Sequence, residues 1–313
     1  MAPGSASTRL SIRIGERRRD HRERHPDGGT IGPIAAVRRR AAGGREGGRG
    51  VTTAEGSVRV AYDAHVAVLT VDRPDRLNAM SDAMEDKFFA ALADIGETDD
   101  VRCILWRAEG RAFSAGRDLK DLGNRAPGQS DYHYIHRGHA ATHRLLVPPK
   151  VPVVCAIQGW CIGGVFERTL LCDLRIASTD AKFRLPELAH GLVPDSGGTA
   201  RLFQMCGHGL VTDLVFTGRT LEADEALRHG IVSRLVDREQ LDDEAMEIAR
   251  AIAAAPPLAV RAWRQNLLDM SMPLVTKSLH DELSAQMLIY KSDDFAEFKR
   301  ARAEGRAPVY RTT

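Results

Sequence analysis

The sequence predicts an α/β fold with a helical C-terminal part. Between about Val58 and Val236, short apolar stretches typical of strands alternate with glycine-rich turns and helical patterns, so that a strand–turn–helix unit recurs. From Gln240 to the end the pattern is helical, with one break at Ala255-Pro-Pro257. We therefore expect an α/β core over residues 51–254 and a helical part over residues 255–313.

The first 50 residues differ in composition from the rest and are predicted to be disordered. They hold twelve arginines and five acidic residues, are rich in glycine and are poor in aromatic residues, so they cannot bury enough apolar surface to fold. Three hypotheses compete: a basic arm for nucleic acid, an organelle transit peptide, or an extension without function that precedes a true start at Val51. The acidic residues argue against a transit peptide. We favour the extension without function and do not expect nucleic acid as a partner.

The remaining composition is that of a globular protein. Hydrophobic residues make up 43% of the chain and charged residues 27%. The five cysteines are odd in number, lie mostly in apolar stretches and form no Cys-x-x-Cys pair, which argues against a disulfide framework and against a zinc site. No apolar run is long enough to span a bilayer. We expect a cytoplasmic protein without a bound metal and without a membrane segment.

The core begins with two strands, Val58–Tyr62 and His65–Val71, joined by a turn. Ser81 is predicted to cap a helix that runs to about residue 95. A third strand follows at Val101–Trp106. Arg76, in the loop before the helix, is either a solvated charge or a phosphate contact.

Two turns of small residues carry the chemistry that the sequence suggests. Ala112–Lys120 is predicted to lead into a helix with Asp118 as its cap, and Gly159–Glu167 follows a strand at Val151–Ile157 and opens a helix. Gly163 and Gly164 in the second turn lack the Cβ atoms that would keep a ligand from the backbone. The first N–H groups of a helix have no intrahelical partner. Together the two turns could direct two N–H groups at one oxygen that becomes negative during a reaction.

Carboxylates occur close to these turns. Glu167 lies on an apolar helix face, so it either has a catalytic role or forms an ion pair with Arg168 or a local cap. Glu187 follows Pro186 at a loop or strand end, where catalytic groups often lie. Asp195 or Ser196 is predicted to cap the next helix.

Three further elements complete the core. His190 is expected to be structural. We expect a strand at Leu174–Ser178, a helix over Leu221–Gly230 and a short strand at Ile231–Val236.

Six motifs, in this order and spacing, resemble the crotonase superfamily over about residues 57–313. They are Arg73-Pro-Asp-Arg-Leu-Asn-Ala79, Phe113-Ser-Ala-Gly-Arg-Asp-Leu119, Gly159-Trp-Cys-Ile-Gly-Gly-Val-Phe-Glu167, Cys172-Asp-Leu-Arg-Ile-Ala177, Phe183-Arg-Leu-Pro-Glu187 and Gly191-Leu-Val-Pro-Asp-Ser-Gly-Gly-Thr199. The branch they resemble most is the enoyl-CoA hydratases of the carnitinyl-CoA dehydratase type.

The resemblance implies a crotonase-like spiral of ββα units, with a C-terminal helical part that assembles trimers or hexamers of identical subunits. It also implies that the carbonyl of an acyl-CoA thioester lies between the backbone N–H groups of Arg117 and Gly164. No cofactor is implied beyond the coenzyme A of the substrate, and the implied setting is fatty acid metabolism. The residues implied to line the path of coenzyme A and substrate are Arg76, Ala79, Ala115, Asp118, Leu119 and Gly163.

The implied reaction is the reversible addition of water across the 2,3 double bond of an enoyl-CoA. By resemblance, Glu167 would activate the water for attack at Cβ, and Glu187 would deliver a proton to Cα. Asp195 matches an acid that double-bond isomerases of the superfamily use, so an enoyl-CoA or dienoyl-CoA isomerase is the alternative. An RNA-binding homologue and a non-catalytic acyl-CoA binder are further alternatives.

Three residues depart from the usual pattern of the superfamily. Val165 replaces a glycine and would crowd the site, while Arg168 replaces an apolar residue and would lower the pKa of a carboxylate that it paired with. Arg117 replaces the alanine of many hydratases, although only its N–H is required. The acyl group itself is not predicted, because the variable region 123–143 would form part of its pocket. The histidines of that region could bind a polar acyl group, but we expect them to face solvent or a subunit contact.

Overall fold

A computed structural model of the chain describes residues 56–125, 127–147 and 150–311. The extension over residues 1–50 lies outside the described residues, so the three hypotheses for it stay as they are.

The strands and helices alternate as the sequence predicts, and the helices follow one another after residue 240. The strands are β1 (Ser57–Asp63), β2 (Val66–Asp72), β3 (Cys103–Ala108), β4 (Val153–Ile157), β5 (Trp160–Ile162), β6 (Leu174–Ser178), β7 (Lys182–Arg184), β8 (Leu221–Glu222) and β9 (Arg234–Val236). The helices are α1 (Asp82–Gly96), α2 (Asp131–Ala141), α3 (Gly163–Leu171), α4 (Gly198–Thr217), α5 (Ala223–Arg228), α6 (Leu241–Ala254), α7 (Pro257–Ile289) and α8 (Asp293–Glu304).

Six strands form the main sheet in the order β1-β2-β3-β4-β6-β9, in which β1 is antiparallel to β2 and the other pairs are parallel. A second sheet has the order β5-β7-β8. Helices cover both faces of the main sheet. Successive side chains along a strand point to opposite faces, so each strand contributes to the packing on both sides. In β4, Cys155 belongs to the cluster that contains Phe88 of α1 and Phe166 of α3, whereas Val154 packs in a second cluster with α6.

The predicted start of α1 is confirmed, since the Ser81 hydroxyl accepts a hydrogen bond from the N–H of Met84 at 3.3 Å. The Phe88 ring lies 4.7 Å from that of Trp106 on β3, which fixes α1 against the sheet. The predicted break before α7 is also confirmed, at Pro256.

Three local predictions were wrong. No helix follows Arg117. The N–H groups of Ala115 and Asp118 donate to carbonyls of the separate segment 77–80, and this pairing forms an isolated β-bridge between Met80 and Arg117. The N-cap of α4 is Gly197 at φ 76°, without a side-chain cap. A helix was predicted over residues 221–230, but its first two residues form strand β8, and helix α5 starts at Ala223.

The parallel strands position the two small-residue turns. The turns follow the carboxyl ends of β3 and β4, which are neighbours in the sheet, so both turns lie at the same edge. Within the described ranges, no helix combines the length and apolar character needed to cross a membrane.

Candidate active site

A cavity of about 350 Å³ opens at this edge of the sheet. Its walls come from the 115–122 segment, the start of α3, the 184–196 segment, and α2 and α7. Among the residues predicted from sequence, seven line it: Ala115, Arg117, Leu119, Gly163, Gly164, Glu187 and Asp195. The fold therefore brings both turns and two of the three predicted acids to one cavity.

The two turns touch each other through glycine. A Cβ atom on Gly116, whose φ is +86°, would lie 2.8 Å from the carbonyl oxygen of Ile162. The N–H of Ile162 donates to the carbonyl of Ser114 at 3.0 Å, which continues the contact as a β-bridge. Among the described residues, the N–H groups of Arg117 and Gly164 have no acceptor. Two unpaired backbone donors thus lie at the wall of the cavity, as an oxyanion hole requires.

Asn78 holds the first turn in place, a role that the sequence interpretation missed. It is fully buried, has φ +54°, and its amide donates to the carbonyls of Glu109 at 2.7 Å and Ala112 at 2.8 Å. Its side-chain oxygen accepts the N–H of Arg73, and its own carbonyl accepts the hydroxyl of Ser114. An asparagine in the loop Arg73–Ala79 is a signal for such a turn, because asparagine tolerates this backbone region.

Glu187 begins a 3-10 turn over Glu187–His190 and presents its carboxyl to the cavity. Its Oε1 lies 2.8 Å from the position of a Cβ on Gly163, so the glycine is what allows this approach. Its Oε2 is buried and has no hydrogen-bond partner among the residues that the structure describes. Burial raises the pKa of this carboxyl to about 8, and the charge of Asp195 acts in the same direction.

Glu167 is fully buried in α3 and is not among the residues that line the cavity. Its carboxyl accepts hydrogen bonds from the N–H of Asp195 at 3.1 Å, the N–H of Ser196 at 3.3 Å and the hydroxyl of Thr199 at 3.3 Å. Burial raises its pKa well above the usual range, and the nearby acids, foremost Glu282 of α7, add to the shift.

Asp195 does not cap α4, and its carboxyl joins a polar group on the cavity wall instead. Its Oδ2 accepts a hydrogen bond from Nε2 of Gln286 at 2.9 Å and lies 3.9 Å from Nε2 of His139. Burial opposes its ionisation, but interactions with His139 and Gln286 outweigh the burial and lower its pKa. Glu282, on the same helix as Gln286, accepts the N–H of Gly197 at 2.9 Å.

The two arginines that depart from the usual pattern share one carboxylate, that of Glu85, and among the described residues neither forms an ion pair with a candidate catalytic acid. Arg168 donates to Oε1 of Glu85 at 2.7 Å, and Arg117 lies 2.7 Å from Oε2 of the same residue. Arg117 also binds Asp82. Val165 lines the cavity, which stays open beside it.

Three predicted binding residues lie outside the cavity wall. Arg76 is exposed in the 3-10 turn Pro74–Arg76, and the carbonyl of Ala79 accepts a hydrogen bond from Arg73 at 2.9 Å. Asp118 forms an ion pair with Arg73 at 2.9 Å and accepts the N–H of Lys120 at 3.1 Å. Asp118 therefore ties the 73–79 loop to the 115–119 segment.

The expectation that the histidines of region 123–143 face solvent or a subunit contact was wrong for His139. His139 of α2 is 7% exposed and lines the cavity together with Tyr134 and Ile135. Ile135 and His139 are four residues apart, so both lie on the inward face of the helix. His190, expected to be structural, also lines the cavity, and its ring lies 4.9 Å from that of Phe298.

No group of three or more histidine, cysteine, aspartate or glutamate side chains is arranged to hold a metal ion within the part of the chain that the structure describes. The described cysteines are free thiols.

Comparison with known proteins places the chain in a family. The model of the family described as enoyl-CoA hydratase/isomerase matches residues 61–312. The chain belongs to the enoyl-CoA hydratase/isomerase family. This membership confirms the crotonase resemblance that the six motifs carried.

Relatives of the family with curated names include two hydro-lyases. The short-chain-enoyl-CoA hydratase of Clostridium acetobutylicum is 35% identical over 206 residues, which cover 65% of this chain and 77% of the relative. The carnitinyl-CoA dehydratase of Salmonella arizonae is 34% identical over 261 residues, which cover 82% of this chain and 98% of the relative. The predicted branch and the predicted class of enzyme agree with these names.

Solved structures similar to this chain confirm the predicted fold class. An enoyl-CoA hydratase/isomerase from Pseudoalteromonas atlantica T6c matches with a TM-score of 0.71 and 30% identity, over 82% of this chain and 100% of that chain. A methylmalonyl-CoA decarboxylase in complex with 2-nitronate-propionyl-CoA matches with a TM-score of 0.70 and 26% identity, over 82% and 99%. Since the fold carries more than one reaction, the site must decide the activity.

Proposed function

We propose that this protein is an enoyl-CoA hydratase, which adds water reversibly across the 2,3 double bond of an enoyl-CoA thioester. The observation that carries the proposal is the position of Glu187: a half-buried residue whose carboxyl has a buried Oε2 and a raised pKa, beside the turn that holds Gly163 and Gly164. The N–H groups of Arg117 and Gly164 would hold the thioester oxygen and stabilise the enolate. Backbone donors of this kind contribute about 3–4 kcal/mol each to such a step.

The two glutamates have different environments, which supports different roles. Glu167 accepts three hydrogen bonds, and these favour its ionised form, whereas Oε2 of Glu187 accepts none. In our proposal Glu187 delivers a proton to Cα, and Glu167 orients the water and takes up a proton as the water oxygen attacks Cβ. Dehydration runs through the same groups in reverse.

Binding of the coenzyme A part would involve the surface next to the cavity. We propose that Ala115, Leu119 and Gly163 contact the thioester end, and that the exposed Arg76 meets a phosphate. Ala79 and Asp118 would shape this path through their bonds to Arg73. No cofactor is required beyond the coenzyme A of the substrate.

The proposed assembly is a homotrimer or homohexamer built through the helical part over residues 255–313. Apolar side chains exposed on α7 support an interface there, because a large exposed apolar patch on a protein surface marks a contact. They are Leu258, Trp263, Leu267, Met270, Leu274 and Leu288. We further propose a cytoplasmic location and no role in nucleic acid binding.

The first experiment measures hydration of trans-2-enoyl-CoA thioesters (crotonyl, decenoyl and crotonobetainyl) by the loss of enoyl absorbance. Wild type is compared with Glu167→Gln, Glu187→Gln and the surface control Glu239→Gln. We expect kcat to fall by at least about a thousandfold in the two site variants and to be unchanged in the control. Loss of folding stability in Glu167→Gln with full kcat would remove Glu167 from the chemistry, and full activity of Glu187→Gln would overturn the proposal.

An isomerase that shuttles a proton between Asp195 and Glu187 is the second candidate. Asp195 lines the cavity, and its charge contributes to the raised pKa of Glu187. A 3-enoyl-CoA substrate separates the two functions, because an isomerase would form the 2-enoyl thioester and add no water. Asp195→Asn would abolish that conversion and leave a hydratase with two working glutamates.

A further inference from the structure

His139 is a buried polar side chain for which the proposed hydration reaction has no use. It is 7% exposed, lines the cavity from α2, and neither of its ring nitrogens has a hydrogen-bond partner among the described residues. An imidazole always has at least one N–H to donate, and leaving it unpaired in a buried place is unfavourable. A group that enters the cavity can therefore become a partner for this ring.

A carboxylate oxygen lies near the ring, slightly too far away for a hydrogen bond. Nε2 of His139 lies 3.9 Å from Oδ2 of Asp195, beyond hydrogen-bond distance. An oxygen atom beside the pair, about 2.8 Å from both, would accept from the ring and donate to the carboxylate. A hydroxyl does both, whereas a methyl or methylene group does neither. Gln286 holds Oδ2 from the other side at 2.9 Å, so the carboxylate is fixed in this position.

This pair lies next to the groups assigned to the reaction. The N–H of Asp195 donates to Glu167 at 3.1 Å, and the hydroxyl oxygen of Ser196 is 3.3 Å from the position of a Cβ on Gly164. A substituent bound by His139 and Asp195 would therefore belong to the part of the acyl group that follows the reacting carbons closely.

We propose that His139 and Asp195 bind a hydroxyl group on the acyl chain, so that the preferred substrates are enoyl-CoA thioesters hydroxylated one or two carbons beyond the double bond. This proposal rests on the proposed function for the identity of the thioester. A carboxylate at the same place is disfavoured, because the Asp195 carboxylate would repel it. A plain alkyl chain offers the His139 ring no hydrogen-bond partner.

Matched substrates test this preference. The kcat/KM values of crotonyl-CoA and 4-hydroxycrotonyl-CoA are compared, and likewise those of pent-2-enoyl-CoA and 5-hydroxypent-2-enoyl-CoA. In wild type we expect a hydroxylated member to exceed its alkyl partner by at least about tenfold in one of the pairs. Equal values in both pairs would overturn the proposal, as would a preference for glutaconyl-CoA, which carries a carboxylate, over the hydroxylated substrates.

Variants of His139 identify the residue responsible. The hydroxyl-to-alkyl ratio of kcat/KM should fall by about tenfold in His139→Leu and largely persist in His139→Gln, which keeps a donor and an acceptor. His136→Leu is the matched control, since His136 stacks on Tyr132 at 4.9 Å and does not line the cavity. Thermal melting of each variant verifies folding. An unchanged ratio in folded His139→Leu would overturn the proposal.

A binding measurement separates this inference from the proposed function. Dissociation constants of butanoyl-CoA, 4-hydroxybutanoyl-CoA, pentanoyl-CoA and 5-hydroxypentanoyl-CoA are measured by calorimetry with wild type and His139→Leu. A hydroxyl preference in binding that His139→Leu removes supports the inference even if no substrate turns over, in which case only the hydratase proposal fails. Normal turnover without any hydroxyl preference would overturn the inference alone.

Discussion

Arg168 follows Glu167 directly in α3, yet its guanidinium donates to Oε1 of Glu85 in α1 at 2.7 Å. Burial opposes the ionisation of Glu85, but Arg168 and Arg117 together outweigh it and hold the pKa of that carboxyl below its usual range. The charge next to Glu167 in sequence is thus neutralised on another helix. This pairing explains how an arginine is accommodated beside a catalytic candidate without forming an ion pair with it.

Replacing Arg168 should destabilise the fold. In Arg168→Met the buried Glu85 keeps only Arg117 as a close partner, and we expect the free energy of unfolding to fall by about 2–3 kcal/mol. Urea denaturation measures this loss. Lys277→Met is the control, since Lys277 pairs with Asp281 on the exposed surface of α7, where the loss should stay below about 1 kcal/mol. Equal losses in the two variants would show that the buried ion pair contributes no more to stability than the exposed pair does.

Activity should decline in alkaline solution. The pKa of Glu187 is raised to about 8, so the carboxyl holds its proton at neutral pH and loses it as the pH rises through that value. A proton donor to Cα is then lost, and kcat/KM for hydration should fall tenfold for each further pH unit. The pH–rate profile of wild type measures this limb. If the same limb persists in the residual activity of Glu187→Gln, another group is responsible for it.

Gly163→Ala should disable the site while leaving the fold largely intact. The new Cβ would lie 2.8 Å from Oε1 of Glu187 at a backbone φ of +60°, so the carboxyl must move away from the turn. We expect kcat to fall by about a hundredfold, because small displacements of a catalytic group have effects of this size. Gly209→Ala is the control, as a Cβ there has no atom of the described residues within 4 Å. Wild-type kcat in Gly163→Ala would contradict the placement of Glu187.

Asn78→Ala should weaken the hydrogen bonds that hold the Ala112–Lys120 turn in place. The substitution removes three side-chain hydrogen bonds, to Arg73, Glu109 and Ala112. We expect a loss of about 3 kcal/mol in the free energy of unfolding, and lower activity, because this turn carries the N–H of Arg117. Denaturant titration and hydration assays measure the two effects. In the control Asn124→Ala, which removes one exposed bond to Lys120, neither should change by much.

Local patterns in the sequence were sufficient for most of the elements that position the site. Ser81 before an apolar helical pattern predicted the start of α1, and the glycines at 163 and 164 predicted a helix that opens with unpaired N–H groups. These features depend on neighbouring residues only, so spacing and residue type determine them. The motif around Asp195 failed as a cap because a distant residue, Gln286, binds its carboxylate instead.

Local backbone preferences and motifs of fixed spacing were enough to predict the α/β class, the family and the kinds of side chain available to the site. The tertiary structure alone decided which charges meet. Arg168 pairs with Glu85, and Asp118 pairs with Arg73. His139 is buried and lies beside Asp195. Each of these contacts joins segments far apart in the chain, and their energies depend on distance and burial, which no local pattern contains.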